Sequence, residues 1–300
     1  MRFIVVHTSP DMDAITSAWL IRKFLPGWEK AEVKFVPAGE RVGGEPKGQS
    51  FDHAVEKIGK DEYIQADTGM GPLDHHQTQS MQVCATTLTY DFVKKYLLAY
   101  NPPVNPEKLE ALERMVKYVL QVDHFQEIFR AEPLEDYNDF SVVNILDGLK
   151  LEKPDQDGYY VHFISECLDA LLHDFENKIW AEREIKKSGI EFKTKWGNGL
   201  AIESINDSVV KLGQLMGYVI VARKDPRKGY LRIKTKPNQS DDDKGVDLTL
   251  VYEKLKKMDP SATWFLHVSK KMLLNGSPKN PKMKPTKLPL SAIIEVLKTI

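Results

Sequence analysis

A short apolar run at residues 3–6 breaks at once into the polar stretch HTSPDMD at 7–13. Beyond it, apolar residues recur at helical spacing at Ala14, Ala18 and Ile21, widened by Trp19 and Leu20, until Pro26-Gly27 ends the pattern. A buried strand that passes through a polar turn into an amphipathic helix is the building unit of a parallel sheet. The unit recurs: residues 33–36 and 62–66 read as strands, 86–100 and 106–121 as helices, and 39–50, rich in Gly, Lys and Pro, as a loop. The expected fold is therefore α/β, with helices packed on a parallel sheet.

The pattern changes after residue 150. Residues 150–158 carry Pro154 and three acids and read as a boundary. Residues 159–187 read as one long amphipathic helix or a helix pair. Strands are expected at 200–205, 216–222, 230–235 and 264–268, helices at 246–257 and 288–300, and a polar loop at 238–245. The expected organisation is an α/β domain at 1–150, a helical linker at 151–189 and a smaller α+β domain at 190–300.

Composition narrows the function classes. Of 300 residues, 42% are hydrophobic and 28% charged, ordinary values for a chain that folds in water. No apolar run approaches the length that spans a bilayer, and the first strand is too short for a signal h-region; no membrane association is expected. Two cysteines, Cys84 and Cys167, exclude a disulfide scaffold or a Cys-rich zinc site, and a reducing cytoplasm is the expected setting. A net charge of −1 gives no global attraction to nucleic acid, so any basic surface must be local. Oligomeric state is not legible.

The histidines and acids cluster where such a sheet places its ligands, just beyond the carboxyl ends of strands. His7, Asp11 and Asp13 follow the first strand; DTGMGPLDHH, residues 67–76, follows the strand at 62–66. Asp123-His124 follows the apolar end of a helix and is placed to converge on the same cleft. Imidazoles and carboxylates without thiolate suit hard or borderline divalent metals, and acids this close together repel unless cations lie between them. Two ions about 3.5–4 Å apart would activate water and clamp a phosphoryl group. The competing readings are structural: Asp13 as the N-cap of the next helix, Asp74-His75-His76 as a solvated loop, Asp123 as a helix-end acid. His53, His162 and His173 read as non-catalytic.

The stretches HTSPDMDAITSA (7–18) and ADTGMGPLDHHQT (66–78) resemble motifs I to III of the DHH phosphoesterase superfamily. The short spacer before Asp74-His75-His76, the following Gln77 and the tail WFLHVSKKMLLNGS (264–277) look most like the MYG-type branch, metal-dependent hydrolases with nuclease activity on RNA. The resemblance implies a DHH-type domain joined by a long helix to a smaller α+β domain. It implies that His7 and Asp11 hold one Mn²⁺, that Asp13, His75 and Asp123 hold the other, and that Asp67 bridges them. His76 would contact the scissile phosphate and assist as a general acid, with Asp74 orienting a histidine. His124 remains an alternative to Asp123, and Mg²⁺ or Co²⁺ an alternative to Mn²⁺.

The tail adds a local basic patch. No acid lies between Asp259 and Glu295, whereas lysines stand at 270, 271, 279, 282, 284 and 287. His267, Ser269, Lys270, Lys271, Asn275, Gly276 and Ser277 are the expected substrate-binding residues, the last three as an anion nest. The competing reading is a solvated Pro-rich loop. The expected activity is hydrolysis of phosphodiesters in short RNA or nucleotides. The rivals are a manganese inorganic pyrophosphatase, whose spacer before the DHH motif is longer than the seven residues from Asp67 to Asp74, and a nucleotide- or RNA-binding protein without turnover.

Overall fold

The computed structural model describes residues 1–99, 104–240, 245–277 and 279–300. Tyr100 and residues 241–244, which fall in the expected second helix and the polar loop, lie outside them. The chain divides into two compact units, Met1–Glu176 and Asn177–Ile300.

In the first unit the elements are β1 (Arg2–His7), α1 (Met12–Phe24), β2 (Glu32–Val36), β3 (Glu56–Ile58), β4 (Asp61–Gln65), α2 (Ala85–Ala99), α3 (Pro106–Asp123), α4 (Val142–Glu152) and the start of α5 (Asp157–Ser188). The sheet order is β2-β1-β4-β3. β1 lies parallel to both neighbours, with Ile4 opposite Val33 and Ile64, and β3 closes the edge antiparallel to β4. Ile4, Val5 and Val6 are wholly buried, as a central strand covered on both faces requires.

α1 departs from the expected one-sided stripe. It packs on β1, α2 and α3, and Thr16 and Ser17 are buried along with its apolar residues. A helix enclosed on most sides needs no polar face. Its N-cap is Asp11, whose Oδ1 accepts from Ala14 N at 3.0 Å. The cap is thus not Asp13, which is free to turn inward. Two elements of this unit were not foreseen: β3, too short for a period to show, and α4, which precedes the expected boundary.

The second unit has β5 (Ile190–Thr194), β6 (Gly197–Glu203), α6 (Ser208–Leu215), β7 (Ile220–Lys224), β8 (Leu231–Thr235), α7 (Thr249–Met258), β9 (Phe265–Leu266), β10 (Met272–Asn275) and α8 (Leu290–Thr299). Sheet order is β5-β6-β7-β8-β10-β9, with β6 and β7 parallel and the other pairs antiparallel. Strand alternation divides the core. Leu200, Ile202 and Val221 pack with Ala181 and Ile185 of α5 and with α6. Ala201, Ile220 and Ala222 pack with residues of α7 and α8. The strand expected at 216–222 begins only at Ile220, because Gly217 at φ 105° completes a turn after the unforeseen α6. The strand expected at 264–268 shrinks to β9.

Replacing Ile4 by Ala should cost about 2–5 kcal/mol through lost burial and a residual cavity. The check is a lower urea midpoint for the transition of the first unit.

Candidate metal centre

β1 ends at His7 and β4 ends two residues before Asp67, and their parallel pairing sets these ends side by side. Ala66 N donates to Val5 O at 3.0 Å, continuing the ladder to the doorstep of Asp67. There the backbone turns: Asp67 has φ 56°, Gly69 77° and Met70 57°. The left-handed region is costly for the two side chains that have a Cβ. Asp67 N holds the turn closed by donating to Leu73 O at 3.0 Å. Asp74, almost fully buried, accepts from Met70 N at 2.7 Å through Oδ2. Its other oxygen accepts from His76 N and meets His76 Nδ1 at 2.6 Å.

The two oxygens of Asp67 face different partners. Oδ2 lies 3.3 Å from His7 Nε2, and Oδ1 lies 3.4 Å from His75 Nε2. His7 Nε2 is also 3.9 Å from Asp11 Oδ1. His75 Nε2 stands 3.6 Å from Asp13 Oδ2 and 3.8 Å from Asp123 Oδ1. Donor atoms of His7, Asp11 and Asp67 lie within 4.8 Å of one another, as do those of Asp13, His75 and Asp123 and those of Asp67, His75 and His76. Of the eight expected residues of the first unit, His7, Asp11, Asp13, Asp67, His75, Asp123 and His76 thus converge, and Asp74 supports His76 from behind.

Each side chain has a local reason to be there. Asp13 Oδ2 and Oδ1 accept from the amides of Ala85 and Thr86 at 2.7 and 2.6 Å. These are first-turn amides of α2, which carry the helix's positive end. Asp123 closes the last turn of α3, and Phe125 at φ 54° prevents the helix from continuing. His124 was an alternative to Asp123, but its Nε2 lies 3.0 Å from Val83 O, and Asp123 joins the cluster.

The electrostatics ask for cations. Burial, with Asp67 and Asp123 close by, pushes Asp13 up to about 7. Burial also raises Asp123, with Asp67 adding to it against the opposing pull of His75. Asp11 and Asp67 push His7 up to about 10, and Asp67 leads the acids that push His75 up to about 9. Burial works against ionised Asp11, but His7 and the Ala14 amide hold its carboxyl below the ordinary range. Asp67 Oδ1 and Asp123 Oδ2 are buried with no hydrogen-bond partner among the described residues. Imidazoles, carboxylates and unpartnered oxygens fit divalent cations bound through N and O.

The tail residues separate into two places. His267, Ser269, Lys270 and Lys271 precede β10, whereas Gly276 and Ser277 follow it. Four strand residues span on the order of 13 Å, so the two groups lie at opposite ends of β10. Lys270 pairs with Asp247 at 3.2 Å, Lys271 Nζ donates to Val246 O at 2.6 Å, and His267 Nδ1 meets Ser269 Oγ at 2.8 Å. The side chain of Asn275 is already committed. It is fully buried, its amide donates to Thr263 O and Lys284 O, and its carbonyl accepts from Thr286 N.

Gly276 and Ser277 instead line a cavity of about 170 Å³ with Arg223, Arg227, Lys228, Arg232, Asp207 and Asp225. Gly276, at φ 92°, brings the backbone so near Tyr230 that a Cβ would lie 2.3 Å from its ring. Sequence reading missed these arginines. Their signal was a charge inside apolar strands, in IVARK and LRIKT, where Arg223 and Arg232 stand opposite each other in register. Arg223 is buried and donates to the carbonyls of Ser204 and Ile205 at 2.8 Å.

No protein-family model matches the chain, and no curated protein does. Among solved structures, the chain is similar to one described as the DHH domain of a member of a family of ribosomal proteins, at 9% identity and a TM-score of 0.32, covering 99% of this chain and 86% of that one. It is also similar to the pGpG-specific phosphodiesterase PggH from Vibrio cholerae, at 13% identity and a TM-score of 0.23, covering 98% of each chain.

Metal binding should release protons. With His7 near 10 and His75 near 9, both are protonated at pH 7 in the metal-free protein, and a cation must displace those protons. Divalent-cation affinity should therefore rise from pH 6 to pH 9, and calorimetric titration in buffers of different ionisation heat should report the release. The same shifts stabilise the metal-free chain fully below the ordinary value of 6.5, and that contribution is lost as pH rises through about 9 and 10.

Proposed function

We propose that this chain is a divalent-metal-dependent phosphodiesterase of the DHH type, most like the MYG-type branch, acting on short RNA or nucleotide phosphodiesters. The observation that carries the reading is the division of the two Asp67 oxygens between two donor sets, one at His7 and the other at His75. A single buried carboxylate shared in this way is what a two-metal hydrolase needs.

His7 and Asp11 would hold one ion; Asp13, His75 and Asp123 would hold the second, with Asp67 between them. Mn²⁺ suits this mixture of imidazole and carboxylate, and Mg²⁺ or Co²⁺ are substitutes. A bound pair supplies Lewis acidity toward the phosphoryl oxygens and a water of lowered pKa. His76 acts from the rim. With Nδ1 fixed on Asp74 and its side chain 58% exposed, it presents Nε2 outward, where it delivers a proton to the leaving oxygen. Asp74 sets that ring's orientation. In the second unit, the cavity lined by Arg223, Arg227, Arg232, Gly276 and Ser277, with Asp207 and Asp225 also at its wall, suits a phosphate group, since cationic side chains and a close backbone approach favour phosphate oxygens.

The test is a substrate panel with Mn²⁺: short RNA, short DNA, a dinucleotide and pyrophosphate, on wild type and Asp67→Ala. Release of mononucleotides from RNA or the dinucleotide is expected, with the variant lower by about a hundredfold or more, at least the cost of an outer-shell metal partner. Turnover of pyrophosphate alone would make the chain a pyrophosphatase. RNA binding without turnover would make it a binding protein.

A further inference from the structure

The turn that carries Asp67 is held open to the metal centre at the expense of left-handed backbone at Asp67 and Met70. Its own hydrogen bonds include Asp67 N to Leu73 O and Met70 N to Asp74 Oδ2. The loop between β2 and β3 also meets it, and from there Gln49 Nε2 donates to Met70 O at 2.9 Å. Thr68 Oγ1 donates to Glu40 O at 2.6 Å. Arg41 Nη1 donates to Gly69 O at 2.7 Å, and Arg41 Nη2 reaches both carboxylate oxygens of Glu56 at 2.6 Å. Glu56 stands on β3, in register with Tyr63 of β4.

Arg41 and Glu56 are each largely buried, with side chains 11% and 13% exposed. A third residue locks them to the strand that leads to Asp67. Gln65, the last of β4, accepts from Val42 N at 2.8 Å, donates to Val42 O at 3.2 Å, and directs its amide at the Glu56 carboxylate at 3.4 Å. Packing at the contact admits no side chain at residue 69. A Cβ there would lie 2.7 Å from Arg41 Cβ, while φ 77° already disfavours one. Neither Arg41 nor Glu56 belongs to a motif of the chain, and neither reaches the metal-ligand atoms.

We infer that Arg41, anchored by Glu56, is the positioning residue that holds the 67–71 turn in the conformation presenting both Asp67 oxygens to the centre. Only a guanidinium does this: one nitrogen carries the Gly69 carbonyl while the other holds the carboxylate. An ammonium has the charge without the planar fork. Its role in turnover rests on the phosphodiesterase reading; its role in shaping the turn does not.

The test uses the full chain and the variants Arg41→Met, Arg41→Lys and Glu56→Gln. In metal-free protein, amide hydrogen exchange across 67–71 should accelerate at least tenfold in Arg41→Met and Arg41→Lys, with β1 and α1 unchanged. Mn²⁺ affinity, read by calorimetry and by the Mn²⁺ resonance spectrum, should fall about 10–100-fold, the usual cost of losing an outer-shell partner. Glu56→Gln, which keeps the guanidinium but weakens its anchor, should fall between wild type and Arg41→Met, and it carries the test should Arg41→Met fail to fold. Exchange of the turn at the wild-type rate in all variants would overturn the inference, as would full recovery of Mn²⁺ affinity in Arg41→Lys. A wild type that binds no Mn²⁺ would overturn the phosphodiesterase reading, and the exchange measurement would still decide the role of Arg41.

Discussion

Three carboxylates, Asp13, Asp67 and Asp123, converge in the first unit with almost no access to water. Buried like charges of this kind are sustained only by specific compensation. Part of it is built into the chain: the N-terminal amides of α2 receive Asp13, and His7 and His75 lie against Asp67. The remainder is visible as oxygens on Asp67 and Asp123 with no hydrogen bond among the described residues and as histidines raised well above their ordinary range. Much of the surrounding architecture answers to this arrangement. The parallel pairing of β1 and β4 brings the two motif-bearing turns together, and α1, capped by Asp11 and carrying Asp13 in its first turn, is enclosed by β1, α2 and α3.

The turn after β4 is the most constrained part of the arrangement. It places a non-glycine residue in left-handed backbone at the position where both carboxylate oxygens must be available. The support comes from β3 and the preceding loop, through Arg41, Glu56 and Gln65. A short antiparallel edge strand that looks incidental in the topology thus becomes the base against which the turn is fixed.

The second unit solves a different problem. Its sheet is covered on both faces by apolar helices, yet Arg223 and Arg232 stand opposite each other on adjacent strands. Two like charges in register repel. Asp207 lies between them as a shared ion-pair partner, and Asp225 adds a second acid beside Arg223. The resulting cavity also takes in Gly276, whose missing side chain lets the backbone approach Tyr230.

Alternation of apolar strands with helical periodicity was enough to anticipate a parallel sheet, because burial on both faces writes a strand as an unbroken apolar run. His7, Asp11, Asp13, Asp67, Asp74, His75 and His76 stand out in the sequence as candidates, since the two segments that carry them, 7–13 and 67–76, begin at or just past a strand end. The choice of Asp123 over His124 was not, because a single helix end leaves both near the site and only the Val83 carbonyl separates their roles. The tail misled. Residues 267–277 are contiguous in sequence, but β10 separates their two ends, and Asn275 is used up by backbone partners that arrive from residues 263, 284 and 286. Arg41 and the arginines of β7 and β8 gave no motif at all. Sequence by itself determined which residue types stand at strand ends, because that is local patterning. Tertiary structure decided which of them meet, because hydrogen bonds such as Arg41 to Glu56 and Asp13 to Ala85 join segments that no spacing rule connects.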